Sequence, residues 1–222
     1  MLRRDAYNSE GVRRLCLLML ASLCEAQPSI EPKTLSWTGK PLQIAPLCRG
    51  EDLATLGLTC PADEPCPMYL ELTAAELVGP RVIVAGNLHG TSSTLESVLL
   101  ASEDGGKTWT EAHARVPFAG LDQIQFIDFE SGWISGQTLV ALPRDPFFLV
   151  TRDGGKTWRK RPVFSETRVG TVDSFWFSSK TTGLLNIDRL QAAENGIRYE
   201  QYESQTGGDT WTMRQASPTL TP

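Results

Sequence analysis

A chain of 222 residues with 41% hydrophobic and 21% charged side chains can build one ordinary domain and is too apolar for a disordered polypeptide. Its formal net charge of −5 argues against a nucleic-acid partner, which requires a concentrated basic surface. The run Arg159-Lys160-Arg161 is a local basic patch, read as a solvated strand end.

In chain order, the first signal is a leader. Arg3, Arg4, Arg13 and Arg14 precede the apolar run Leu15 to Leu23, and small residues follow at Cys24 and Ala26. This is the pattern of a secretory signal peptide over residues 1–26, cleaved after Ala26, which places the product in the periplasm or outside the cell. The apolar run is too short for a transmembrane anchor, since a span takes about 20 residues. Lipidation at Cys24 is disfavoured by the bulky Leu23, and the pair Arg13-Arg14 lacks the flanking pattern of twin-arginine export. Residues 27–68 carry seven prolines, from Pro28 to Pro67, and read as an N-terminal segment without central strands or long helices. They also hold Cys48, Cys60 and Cys66, a spacing that suggests one disulfide and one remaining thiol, with the pairing open.

From Tyr69 the chain becomes a series of short β-type runs. The first module has Tyr69–Leu72, Arg81–Ala85, Ser97–Ala101 and Thr108–Ala112. The second has Gln123–Asp128, Gly132–Gly136, Phe147–Thr151 and Thr157–Arg161. The third has Asp173–Phe177, Gly183–Ile187, Ile197–Ser204 and Thr210–Arg214. Each module closes around an octet: Ser102-Glu103-Asp104-Gly105-Gly106-Lys107-Thr108-Trp109, then Thr151-Arg152-Asp153-Gly154-Gly155-Lys156-Thr157-Trp158, then Ser204-Gln205-Thr206-Gly207-Gly208-Asp209-Thr210-Trp211. Four antiparallel strands per repeat of about fifty residues is a propeller blade. The predicted fold is therefore all-β, with three four-stranded blades at about 69–115, 116–165 and 166–215 within a repeat domain 69–222. Residues 27–68 are a possible irregular fourth blade.

Physically the octet is a hairpin lock. Its glycines permit positive φ, its aspartate accepts amide hydrogen bonds, and its tryptophan anchors the turn on the adjacent module. The hydroxyls of Ser102 and Thr108 are expected to pair across the hairpin mouth. A phosphate-binding loop is excluded because Ala101 and Val150 stand where its first glycine belongs. A calcium loop is excluded because only one aspartate is present. The pattern resembles the Asp-box, or bacterial neuraminidase repeat, carried here by Ser102, Asp104, Gly106, Thr108 and Trp109, and by Thr151, Asp153, Gly155, Thr157 and Trp158. A third copy keeps Ser204, Gly208, Thr210 and Trp211 but has Thr206 in place of aspartate. Asp-Gly-Gly-Lys-Thr-Trp and Phe126-Ile127-Asp128-Phe129-Glu130-Ser131-Gly132-Trp133 are most similar to the photosystem II assembly propellers of that superfamily, which also includes sialidases. The resemblance covers residues 69–215 and implies a structural octet, away from the ligand-binding face.

The sialidase branch implies an arginine triad, a tyrosine nucleophile with a glutamate partner, and an acid/base aspartate. The Phe/Tyr-Arg-Ile-Pro segment typical of that branch is missing, and Tyr199, Glu200, Tyr202 and Glu203 alternate as surface pairs on a strand. No catalytic residue, cofactor or metal site is assigned; His89 and His113 have no partner at metal-ligand spacing. The binding candidates lie in loops opposite the octets: His89, Arg144 and Asp145 before a third strand, Asp122 and Gln123 before a first strand, and Asp188 and Arg189 after a second. The expectation is an exported, non-enzymatic propeller module for a protein or glycan partner, the alternative a sialidase-type hydrolase or a degenerate relative. Three blades leave an open arc with free edges, which a homodimer would close into six.

Overall fold

The computed structural model describes residues 68–91 and 93–220. The chain divides into two units, residues 1–41 and 42–222, and every described residue lies in the second. The leader 1–26, residues 27–67 and Cys48, Cys60 and Cys66 fall outside the described residues.

Twelve strands form three four-stranded antiparallel meanders. Blade 1 is β1 (Tyr69–Val78), β2 (Arg81–His89), β3 (Thr94–Ser102) and β4 (Thr110–Glu111). Blade 2 is β5 (Ala119–Phe126), β6 (Gly132–Thr138), β7 (Arg144–Thr151) and β8 (Arg159–Pro162). Blade 3 is β9 (Thr171–Phe177), β10 (Gly183–Asp188), β11 (Tyr199–Ser204) and β12 (Thr212–Ser217). All twelve expected runs are strands. The fourth strand of each blade begins later than its run suggests, because Thr108, Thr157 and Thr210 are held in the turn.

Each octet closes the hairpin between the third and fourth strands. Asp104 Oδ1 accepts from the amides of Lys107 and Thr108 at 3.0 and 2.9 Å and from the Ser102 hydroxyl at 2.9 Å; Oδ2 takes the Thr108 hydroxyl at 2.8 Å. The two hydroxyls therefore meet on the aspartate and do not pair with each other, since a carboxylate is the stronger acceptor. Asp153 repeats this with Thr151 and Thr157, accepting from the Thr151 hydroxyl at 2.8 Å and from the Thr157 hydroxyl at 2.6 Å. In the third turn Thr206 Oγ1 accepts the Thr210 amide at 2.9 Å and sits 2.9 Å from the Thr210 hydroxyl. A neutral hydroxyl thus keeps the shape of the turn without its charge.

The octets also bind blades together. A side chain added at Gly155 would meet Ile83 of blade 1 at 2.4 Å, and one added at Gly208 would come within 3.5 Å of Trp133 of blade 2. Trp158 sits in a core with Ile83, Ala85 and Leu99 of blade 1. Between blades 2 and 3, Trp133 stacks on Phe177 at 3.8 Å and donates to the Gly207 carbonyl at 2.8 Å. Phe148 stacks on Trp211 at 5.5 Å. Two side-chain amides add bidentate clasps: Asn87 on the Leu121 backbone at 2.7 and 3.1 Å, and Gln125 on that of Phe177 at 2.7 and 3.0 Å.

The first glycine of the octet meets different surroundings in each blade. Gly105 has φ +72° and open space around it, whereas Gly154 has φ +73° and a Cβ there would lie 2.6 Å from the Phe129 carbonyl. Gly105→Ala is expected to cost about 1 kcal/mol for the left-handed backbone alone. Gly154→Ala adds a backbone clash and should cost about 3 kcal/mol. Urea-unfolding midpoints of the two variants check the difference.

The octet carboxylates also set an acid limit. The Thr108 amide, then its hydroxyl, hold Asp104 down at about 2. At Asp153 burial works upward, but the Thr157 hydroxyl and amide outweigh it and bring the group to about 2. A depressed folded-state value means stability that is present above the usual value of 3.8 and lost as pH falls through about 2. Unfolding midpoints measured down this pH range should fall, and fall less steeply in the Asp104→Asn/Asp153→Asn double variant.

Candidate functional site

Antiparallel meanders put the octets and the first hairpin turns at one end of the blades. The β2–β3, β6–β7 and β10–β11 loops lie at the other end, and the sequence-selected residues gather there. Their settings differ from those expected. His89 is the last residue of β2, with Nε2 2.8 Å from Glu71 Oε2, Nδ1 3.1 Å from the Thr94 hydroxyl, and its ring stacked on Tyr69. It belongs to a closed network within blade 1. Asp122 and Gln123 do not precede β5 but form an irregularity inside it, where the pairing shifts between Leu121 and Ile124. Burial raises the Asp122 carboxyl above its usual range; the Gln137 amide, donating at 2.6 Å, works against this, and nearby Glu71 adds to it.

Arg144 and Asp145 likewise open strand β7 and are not loop residues. Asp145 sits at φ 49°, its carboxylate accepting the Arg168 amide at 2.9 Å while its own amide donates to the Arg168 carbonyl at 2.8 Å. It is a clip that holds the connection from blade 2 to blade 3. Asp188 ends β10 and is paired bidentately with Arg198 at 2.8 and 2.7 Å, which holds its carboxyl below the usual range.

Arg189 is the selected residue that the fold brings into a constellation. Glu200 and Tyr202, two apart on β11, point to the same side. The Tyr202 hydroxyl donates to Glu200 Oε2 at 2.7 Å and accepts from Arg168 Nη1 at 3.1 Å. Arg168 and Arg189 flank the same Glu200 oxygen at 3.8 and 3.9 Å. Phe164 supports the group, with the Arg168 guanidinium 4.8 Å above its ring and Tyr202 edge-on at 5.3 Å. Arg189 Nη1 is buried and has no hydrogen-bond partner. Beside it opens a cleft of about 300 Å³ lined by Arg189, Gln191, Asn195 and Glu200. Two guanidinium groups against one carboxylate leave a local positive excess, and a buried N–H without an acceptor favours a ligand that supplies one.

Tyr202 was expected on the surface; it is 4% exposed. Burial pushes its hydroxyl up to about 12, and the Glu200 hydrogen bond and charge add to this. Arg168 carried no signal in the sequence, because the connection between β8 and β9 has no periodic pattern.

A larger cleft, about 780 Å³, lies at the octet end between Pro80, Arg81, Phe129, Arg152 and Lys156. It is a broad gap between adjoining turns, and its Arg81 is already bound to Glu103 and to the Gly154 carbonyl. The smaller cleft is the better candidate, because Arg189, which lines it, carries a buried N–H without a hydrogen-bond acceptor. Among the described residues no group of three or more His, Cys, Asp or Glu is placed to hold a metal, and no helix is long and apolar enough to cross a membrane.

No known protein family matches the sequence, and no curated protein matches it. Among solved structures the chain is similar to YCF48 bound to a D1 peptide, with 18% identity, a TM-score of 0.43, and 71% of this chain and 48% of that one covered. It is also similar to the GH74 xyloglucanase of Xanthomonas campestris, at 15% identity and TM-score 0.43 over 61% of this chain and 19% of that one. YCF48 from Cyanidioschyzon merolae follows at 18% identity and TM-score 0.39, covering 64% and 40%. The chain spans less than half the length of each. At this level of likeness the blade assignment rests on the three sheets themselves.

Proposed function

We propose that this chain is an exported, non-enzymatic propeller module that holds an acidic group of a protein or glycan partner at the end of the blades opposite the octets. The observation that carries the reading is the buried Arg189 Nη1, which has Glu200 at ion-pair distance but no hydrogen-bond acceptor, beside an open cleft. A carboxylate entering there would accept from Arg189, a charge-assisted hydrogen bond that Glu200 at 3.9 Å does not supply. Export rests on residues 1–26, and a secreted or periplasmic location follows from it. The shared hydrogen bonding of the turns supports reading them as Asp-boxes, the third one degenerate, and hence as a relative of the photosystem II assembly factor-like propellers.

The hydrolase alternative would need the phenol of the tyrosine–glutamate pair as nucleophile. A Tyr202 hydroxyl held neutral to about 12, 4% exposed and donating to Glu200, is poorly suited to that role. Two measurements test the proposal. Arrays of acidic peptides and sialylated or uronic-acid glycans should give binding that Arg189→Ala weakens at least about tenfold, the scale of a lost charged hydrogen bond, with an unchanged unfolding midpoint. A fluorogenic sialoside should not be turned over; turnover abolished by Tyr202→Phe would instead establish the hydrolase.

A further inference from the structure

The three blades end differently at their last strands. β4, β8 and β12 each close a sheet, so each has one side that pairs with no described strand. Such an edge is a template for a further strand, and chains blunt it by shortness, charge or proline. β4 is two residues long. β8 reads Arg-Lys-Arg-Pro, three positive charges and a residue without an amide hydrogen. β12 uses none of these devices. It is six residues, Thr-Met-Arg-Gln-Ala-Ser, and its single charge, Arg214, is paired with Glu203 of β11 at 3.0 Å. Its residues from Thr212 to Ala216 are all exposed.

β12 also borders the cleft at Arg189. It runs from its octet towards the opposite end of the blade, and Ala216 lies near that end, paired with Glu200. Ala216 and Glu200 line the cleft together with Arg189. A strand added to β12 would lie about 5 Å beyond it, and its residue facing Ala216 would project on the side of the sheet that carries Glu200. Ala216 presents only a methyl there, so a longer side chain passes over it towards Arg189. The Nη1 of Arg189 is buried without a hydrogen-bond acceptor, and Glu200 stands 3.9 Å away. The apolar lining residues are Ala193, Ile197 and Ala216, with no aromatic ring to receive the C–H face of a sugar.

We propose that β12 takes an extended peptide of a protein partner as a fifth strand, and that the peptide residue facing Ala216 is an aspartate or glutamate held by Arg189. Backbone pairing supplies affinity with little regard to sequence, and the arginine selects the acidic residue. The inference rests on the reading that Arg189 holds an acidic group, and it narrows the partner from a protein or glycan to an acidic peptide in extended form. Blade 3 is where an edge without blunting and a buried donor without an acceptor come together.

A random-peptide library selected on the full chain tests this. Enriched peptides are expected to share one Asp or Glu at a fixed position, and one of them is then synthesised with N-methyl groups on alternate backbone amides. Methylation of one parity should weaken binding at least about tenfold and the other parity should leave it unchanged, because only alternate amides of an added strand face β12. Arg189→Ala should weaken binding about tenfold, and so should Ala216→Phe, which obstructs the path to the cleft while leaving the edge free, both with unchanged unfolding midpoints. Binding that needs the acid and Arg189 but ignores methylation parity would overturn the fifth strand and leave the arginine site standing. Parity dependence that survives Arg189→Ala would overturn the inference together with that site. Failure to enrich any peptide would overturn the inference alone if acidic glycans still bind through Arg189. Dimerisation seen by light scattering, with β12 amides protected from hydrogen exchange as concentration rises, would overturn it in favour of a second copy on the same edge.

Discussion

Blades 2 and 3 are each tied to the preceding blade by a glycine seated against a buried side chain, Gly155 on Ile83 and Gly208 near Trp133. The contact requires two things at once. The turn must hold a left-handed backbone, and its rim must carry no Cβ. The aspartate or threonine within the octet supplies the first by gathering amides and hydroxyls onto one acceptor, and glycine supplies the second. Without this seating the tryptophan that follows would have no fixed position, and the inter-blade cores would lose their largest ring.

The sequence was informative where a residue acts through its own backbone or its immediate neighbours. Strand runs, turn glycines and the octet acceptor are local, so all twelve strands and the three locks could be read directly. It was misleading where a polar residue acts at a distance. Asp145 looks like an exposed loop contact, but its carboxylate meets an amide twenty-three residues away and clips two blades. Tyr202 alternates with glutamates as if solvated, yet the connection bearing Phe164 and Arg168 covers it. Arg168 could be found only after that connection had been placed.

The third blade shows how repeats diverge while the backbone is kept. Thr206 retains the hydrogen-bond geometry of the turn through one oxygen, and Trp211 remains to stack on Phe148. Its Nε1, however, has no partner, whereas Trp109 and Trp158 donate to Gly106 and Gly155 carbonyls at 3.0 and 3.1 Å. The stacking surface is thus kept even where the polar handle is lost. Apolar contact between blades, not the indole hydrogen bond, is the interaction common to the second and third turns.

This division has a consequence for where ligand chemistry can reside. At the octet end, hydroxyls, amides and carboxylates are spent on one another to hold the turns, and Arg152 is spent across blades, 4.6 Å above the Trp133 ring and donating to the Gly207 carbonyl. Any substitution that freed a group there would loosen a blade contact. At the loop end, Asp188 and Arg198 neutralise each other and Asp145 is committed to the backbone, but Arg144 and Arg189 each keep a buried N–H without a hydrogen-bond acceptor. A fold that satisfies its polar groups nearly everywhere carries an unsatisfied one at a cost. That cost is offset when the missing acceptor arrives with a partner, and of the two arginines Arg189 is the one that lines the smaller cleft.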